Sequence, residues 1–117
     1  MTDEKLNSMI PMDKFITITE NIAIHTEAEM KSIKKGFRAS VMEEKWNLIF
    51  QDDILYCIRS WTGYCGFKAF FRSEEKNFIL YKIEYIDNPT VRSGLTDEEA
   101  ILSVKELING YLLRESQ

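Results

Sequence analysis

Between Trp46 and Ile86 the chain runs through four apolar stretches separated only by short, turn-forming spacers, and this pattern constrains the fold more than any other feature. Trp46-Asn47-Leu48-Ile49-Phe50 leads through Asp52-Asp53 into Leu55-Tyr56-Cys57-Ile58-Arg59. Thr62-Gly63-Tyr64 leads into a run from Cys65 to Phe71, and the polar Ser73-Glu74-Glu75-Lys76-Asn77 into a run from Phe78 to Ile86. Stretches of this length, rich in aromatic and β-branched residues and bounded by Asp, Gly and Asn, read as strands joined by turns. Connections this short admit only antiparallel neighbours, so the pattern predicts a four-strand antiparallel meander.

Register follows from asking which pairing keeps one face apolar, because a slip of one residue turns every side chain over. Phe50 opposite Leu55 sets Trp46, Leu48 and Phe50 beside Leu55 and Cys57. Trp61 opposite Cys65, across a three-residue turn, adds Phe67, Ala69 and Phe71. Phe71 opposite Ile79 adds Tyr81, Ile83 and Tyr85. The other face then carries Ile49, Tyr56, Ile58, Tyr64, Phe70, Phe78 and Leu80, more apolar material than a solvated face needs. The first helix over part of it, or a partner chain such as a second copy, is expected to cover this face.

Two helices flank these strands. Thr26-Glu27-Ala28-Glu29 and Thr96-Asp97-Glu98-Glu99 are capping-box patterns, in which hydroxyl and carboxylate satisfy the first free amides of a helix. The first predicts a helix near 27–35, stopped by Gly36 in a left-handed conformation. After the second, Ile101, Val104, Leu107, Ile108 and Tyr111 recur at helical spacing, and Asn109-Gly110 marks an end or a break. Phe15-Ile16-Thr17-Ile18-Thr19 alternates as a short fifth strand. The fold class is therefore α+β: an antiparallel sheet with an N-terminal helix and a C-terminal amphipathic helix packed on it. Residues 1–117 are read as one domain, with 1–11 a loose lead-in ending at Pro11.

The chemistry-bearing residues form no catalytic or metal-binding constellation. His25 is the only histidine and reads as exposed near a helix start, so a two-histidine zinc site is excluded. Cys57 and Cys65 lack metal spacing and fall in mismatched hairpin positions, so both read as reduced, buried apolar residues. The acids cluster at turns and helix caps, and the five glycines form no phosphate loop. No cofactor is implied. The net charge of −4, with Lys and Arg scattered, argues against nucleic acid, although Lys68, Arg72 and Lys82 interleave with strand aromatics. No stretch is long and apolar enough for a membrane span, and Met1-Thr2-Asp3-Glu4-Lys5 carries no signal-peptide pattern, so a cytoplasmic protein is expected.

Arg59 is the residue that this structural reading leaves unexplained. The register sets it on the apolar face near Trp46 and Phe67, where a guanidinium needs a carboxylate, carbonyls or an aromatic ring. The functional alternative is an anchor for an anionic ligand, with Ser60, Thr62 and the Gly63 amide as further donors and Trp61 as a stacking plate.

Met42-Glu43-Glu44-Lys45-Trp46, Asp52-Asp53 and Arg59-Ser60-Trp61-Thr62-Gly63-Tyr64-Cys65 together resemble a small, uncharacterised bacterial domain. That domain occurs alone or appended to ADP-ribosylglycohydrolase-type proteins, and the similarity spans roughly residues 26–108. Ile58 stands where the family usually has an aromatic residue or His, and Gly66 where it has a bulky residue. The resemblance implies a connection with ADP-ribose or NAD-derived ligands and supplies no catalytic residues. The leading expectation is a non-enzymatic binding or accessory module for an anionic nucleotide-type ligand such as ADP-ribose, using Arg59, Ser60, Trp61, Thr62 and Gly63. One alternative is a protein-interaction module of immunity or antitoxin type. Another is a hydrolase of nucleotide derivatives, for which Glu43, Glu44 and Glu84 are the acids to consider.

Overall fold

A computed structural model of the chain describes residues 8–113. Five strands, β1 (Phe15–His25), β2 (Trp46–Gln51), β3 (Ile54–Arg59), β4 (Cys65–Glu74) and β5 (Asn77–Ile86), form one sheet in the order β1-β5-β4-β3-β2. Every neighbouring pair is antiparallel. Helix α1 (Glu27–Lys35) follows β1, and helix α2 (Asp97–Leu107) follows β5 and continues into a π-helical turn, Ile108–Leu112. Both capping boxes are formed, by Thr26 with Glu29 and by Thr96 with Glu99. The break expected at Asn109-Gly110 is this π-turn, which carries the chain on without ending the helical rise.

The β2–β3 hairpin has the expected register, with Phe50 opposite Leu55. Its two-residue turn places Asp52 and Asp53 at φ 55° and 65°, a left-handed conformation that Asp tolerates better than most residues and that matches strand twist. The next two registers depart from expectation. Cys65 lies opposite Ile58, not Trp61, and Phe67 lies opposite Cys57, which leaves Gly66 as a bulged extra residue. The loop closes early because Arg59 N donates to Tyr64 O at 2.9 Å and Gly63 N to Arg59 O at 2.8 Å. The bulge restores the parity that the longer loop disturbs, so Phe67, Ala69 and Phe71 still join Leu55 and Cys57 in the core.

A second bulge corrects the pairing of Phe71 with Ile79. Phe71 lies opposite Leu80 and Phe70 opposite Lys82, leaving Tyr81 as the extra residue. Leu80 therefore enters the core, fully buried, and Tyr81 does not. β1 runs six residues beyond the expected Thr19, through an irregularity between Thr19 and Ala23. It forms an outer edge against β5.

Both helices lie on the same side of the sheet. Met30 and Ile33 of α1 and Ala100, Val104 and Leu107 of α2 belong to one cluster with Leu48, Phe67, Leu80, Ile83 and Tyr85. The expectation that α1 covers the second face is thus overturned; an amphipathic helix joins the larger apolar surface available. The Tyr85 hydroxyl donates to Asp97 Oδ1 at 2.6 Å and fastens the start of α2 to β5. On the second face, Met12 packs with Cys65 and Ile86, against Met9, Tyr56 and Tyr64. The described part of the lead-in is fastened there, since Ile10 N donates to Gly63 O and Ile10 O accepts from Cys65 N; residues 1–7 lie outside the described residues.

Candidate functional site

Arg59 ends β3 directly opposite Trp46, the first residue of β2. Its guanidinium carbon sits 4.9 Å from the centroid of the Trp46 ring, close enough for a cation–π contact. Trp46 is itself buried and tilts against Phe67, with ring centroids 5.8 Å apart. Gly66 makes room for this plate: a Cβ there stands 3.1 Å from the indole ring. Among the described residues no carboxylate or side-chain acceptor pairs with the Arg59 guanidinium.

A cleft of about 330 Å³ opens beside this stack, between the sheet end and α2. Trp46, Phe67 and Arg59 form one wall, Ser103, Glu106 and Leu107 of α2 and Tyr111 of the π-turn form another, and Arg92 reaches in from the connecting loop. Arg92 is positioned by its own backbone, which exchanges two 2.8 Å hydrogen bonds with Asn88. The Asn88 side chain folds the intervening turn by accepting from Thr90 N and Oγ1 at 3.0 and 2.8 Å. Tyr111 stacks on Phe37 at 4.7 Å. The cleft is therefore lined by two guanidiniums without ion-pair partners among the described residues, one acid, the hydroxyl-bearing Ser103 and Tyr111, and aromatic walls. Such a set suits a planar, anionic ligand.

The five residues singled out from the sequence, Arg59 to Gly63, line one small hollow of about 170 Å³ together with Met9, Asn47 and Ile58, but they divide at the larger cleft. Only Arg59 lines the cleft. The Ser60 hydroxyl donates to Glu44 O at 2.8 Å, and the Gly63 amide is committed to Arg59 O. Gly63 has φ 79°, as its turn demands. Trp61 is 67 % exposed and donates from Nε1 to Met42 O at 3.2 Å. With Thr62, Met42, Lys45 and Tyr64 it lines a neighbouring hollow of about 390 Å³, and Arg59 borders that hollow too. Arg59 is thus shared between a cationic cleft and an apolar one. Arg92, Ser103 and Tyr111 carried no local sequence signal, because they meet Arg59 only through the packing of α2 on the sheet.

The remaining candidates are elsewhere. Glu44 accepts from Ser40 N at 2.7 Å and Val41 N at 3.3 Å, tying its own loop. Glu84 lies on β5 opposite Lys68 and Thr17, and Glu43 is exposed. The acid in the cleft is Glu106. His25, expected at the surface, is buried: the Phe71 ring lies tilted beside it at 6.0 Å between centroids, its Nδ1 lies 3.2 Å from Glu29 Oε1, and its Nε2 has no hydrogen-bond partner among the described residues. It is drawn inward because β1 extends to residue 25 rather than ending at Thr19. Cys57 and Cys65 are free and buried. Burial pushes the Cys57 thiol well above its usual range. It pushes Cys65 up to about 12, against the opposing pull of the nearby Lys68 ammonium. Both thiols are held protonated, the form that is inert as a nucleophile.

Among the described residues, no three His, Cys, Asp or Glu side chains gather as metal ligands do, and no helix is long and apolar enough to cross a membrane. Comparison with protein-family models, curated proteins and solved structures returns no significant match to this chain.

Proposed function

We propose that the protein is a non-enzymatic binding module for an anionic, aromatic small molecule of nucleotide type, such as ADP-ribose, held in the cleft between Arg59 and Arg92. One observation carries this reading: two guanidiniums line one aromatic-walled cleft, and neither is paired with a carboxylate among the described residues. An anion bridging the two guanidiniums relieves the repulsion between them and forms charge-assisted hydrogen bonds with both. Stacking on Trp46 holds the Arg59 fork in place before the ligand arrives, so less side-chain freedom is lost on binding. Tyr111 and Phe67 supply apolar walls for a ring.

Isothermal titration calorimetry with ADP-ribose, NAD, AMP and inorganic pyrophosphate tests the proposal. Arg59→Gln and Arg92→Gln should each weaken binding by about tenfold to a hundredfold, the size of a lost hydrogen bond to a charged group. Absence of any binding that depends on Arg59 sinks it.

A second reading, a protein-interaction module of immunity or antitoxin type, rests on a different observation. Val41, Met42 and Trp61 are 55 %, 67 % and 67 % exposed, and the last two line one hollow. Exposed apolar residues gathered in this way mark interaction surfaces. No nucleotide binding by the parent protein, together with a co-purifying protein partner that is lost in Trp61→Ala, would favour this second reading.

A further inference from the structure

On β4 the residues that face away from the helices are Lys68, Phe70 and Arg72, alternating with the core residues Phe67, Ala69 and Phe71. Their cross-strand neighbours extend the alternation. Tyr56 of β3 lies opposite Lys68, and Lys82 of β5 opposite Phe70. The bulge at Tyr81 is decisive, because a bulge turns two successive side chains to one side, and Tyr81 and Lys82 both meet this face. The result is a quilt of three cation–π contacts: Lys68 Nζ 5.6 Å from the Tyr56 ring, Lys82 Nζ 4.2 Å from Phe70, and the Arg72 guanidinium 5.3 Å from Tyr81. The Phe70 and Tyr81 rings meet edge to face at 6.5 Å. Both helices pack on the opposite face.

We propose that this sheet face, beside the patch where Met9 and Met12 pack with Tyr56, binds single-stranded nucleic acid, stacking bases on Phe70 and Tyr81, with Tyr56 at the margin, while Lys68, Arg72 and Lys82 meet the phosphates. The net charge of −4 is a sum over the chain, and the helix-cap acids Glu27, Glu29, Asp97, Glu98 and Glu99 belong to the helices rather than to this face. Three acids temper the face, Glu84 opposite Lys68, Glu74 at 3.7 Å from Arg72, and Asp52, whose charge acts on Tyr56, so stacking carries more of the affinity than charge. A base landing on Phe70 displaces the Lys82 ammonium, whose flexible stem lets it swing to the adjoining phosphate. The exchange is favourable because an exposed cation–π contact is weaker than a base stacked on an aromatic ring. Rings on three adjacent strands, about 4.8 Å apart, are within reach of successive bases of an extended strand. This site is independent of the Arg59 cleft, and its variants do not touch that cleft.

The test is fluorescence anisotropy of labelled oligo(dT) and oligo(U) of about 12 nucleotides, titrated with the full chain at low salt. Binding should weaken with salt at a log–log slope of about −2, as three single-strand phosphate contacts require. Lys82→Ala should reduce the slope by about 0.7. Phe70→Leu should weaken affinity roughly tenfold with the slope unchanged. Lys31→Ala, on the helix side, should change neither. If Phe70→Leu fails to fold, the aromatic resonances of the unaltered protein decide: upfield shifts of Phe70 and Tyr81 on adding oligo(dT) support the proposal, and unmoved resonances overturn it. No anisotropy change up to about 100 μM protein, the weak limit of non-specific binding, overturns it. Equal affinity for duplex overturns it too.

Discussion

Gly36 is the position where one added methyl group should do most harm. It follows α1 at φ 70° and ψ −169°, positive in φ as expected of a helix stop but extended in ψ. That region is essentially closed to residues with a Cβ and costs about 1–3 kcal/mol when forced. Space is the second objection: an alanine Cβ would collide with the carbonyl oxygen of Leu48. Relief requires the segment to withdraw from β2, where Phe37 N donates to Leu48 O at 2.8 Å and Leu48 N to Phe37 O at 2.7 Å. Two hydrogen bonds at about 1 kcal/mol each are then at risk. Against this, alanine restricts the unfolded chain and returns about 0.4–1 kcal/mol. The net loss for Gly36→Ala is about 2–4 kcal/mol, a large part of the roughly 5–15 kcal/mol that holds a domain together. Urea unfolding followed by tryptophan fluorescence should show the midpoint falling by about 1.3–2.7 M, for an m-value of about 1.5 kcal/mol/M. Gly94→Ala separates the two causes, since Gly94 has φ 91° but open space around its Cα; it should lose only the φ component. A midpoint within about 0.5 M of the parent for Gly36→Ala, or equal losses at both glycines, would refute the steric argument.

Two further outcomes follow from burial and charge. Trp61→Ala should cost under about 1 kcal/mol in the same assay, because the ring is 67 % exposed and holds one hydrogen bond to Met42; a loss of core size, about 3–5 kcal/mol, would mean that the indole plugs the sheet margin. For Tyr85, burial first and then the hydrogen bond to Asp97 raise the hydroxyl from 10.0 to about 12. The unfolded chain gives up this proton first, so the stabilisation is intact below pH 10 and is lost as the pH climbs to about 12. Urea midpoints measured across this range should fall more steeply for the parent than for Tyr85→Phe, and parallel curves would contradict the assignment.

The local signals in the chain were the reliable ones. Each capping box involves residues three apart, and each formed as written. The Asp52-Asp53 turn and the Phe50–Leu55 register were legible because a two-residue hairpin leaves no freedom in pairing. Arg59 over Trp46 followed from that register. The Cys65 and Ile79 registers went astray because one bulge, at Gly66 or Tyr81, shifts the pairing while leaving an apolar face intact, and apolar patterning is blind to such a change. His25 departs from its expected surface position for a related reason: the end of β1 depends on β5 being alongside.

The sequence by itself determined the α+β class, the two helices, the strands from Trp46 to Ile86 and the anomalous place of Arg59, since all of these rest on interactions spanning a few residues or on the period of apolar side chains. Tertiary structure alone decided the rest. Arg92 and Tyr111 joined Arg59 only when α2 packed on the core face. Lys68, Arg72 and Lys82, scattered along the chain, became one face because strand pairing and the Tyr81 bulge aligned them. Charge in a sequence is a sum, whereas a binding surface depends on which charges share a side, and only the folded chain assigns sides.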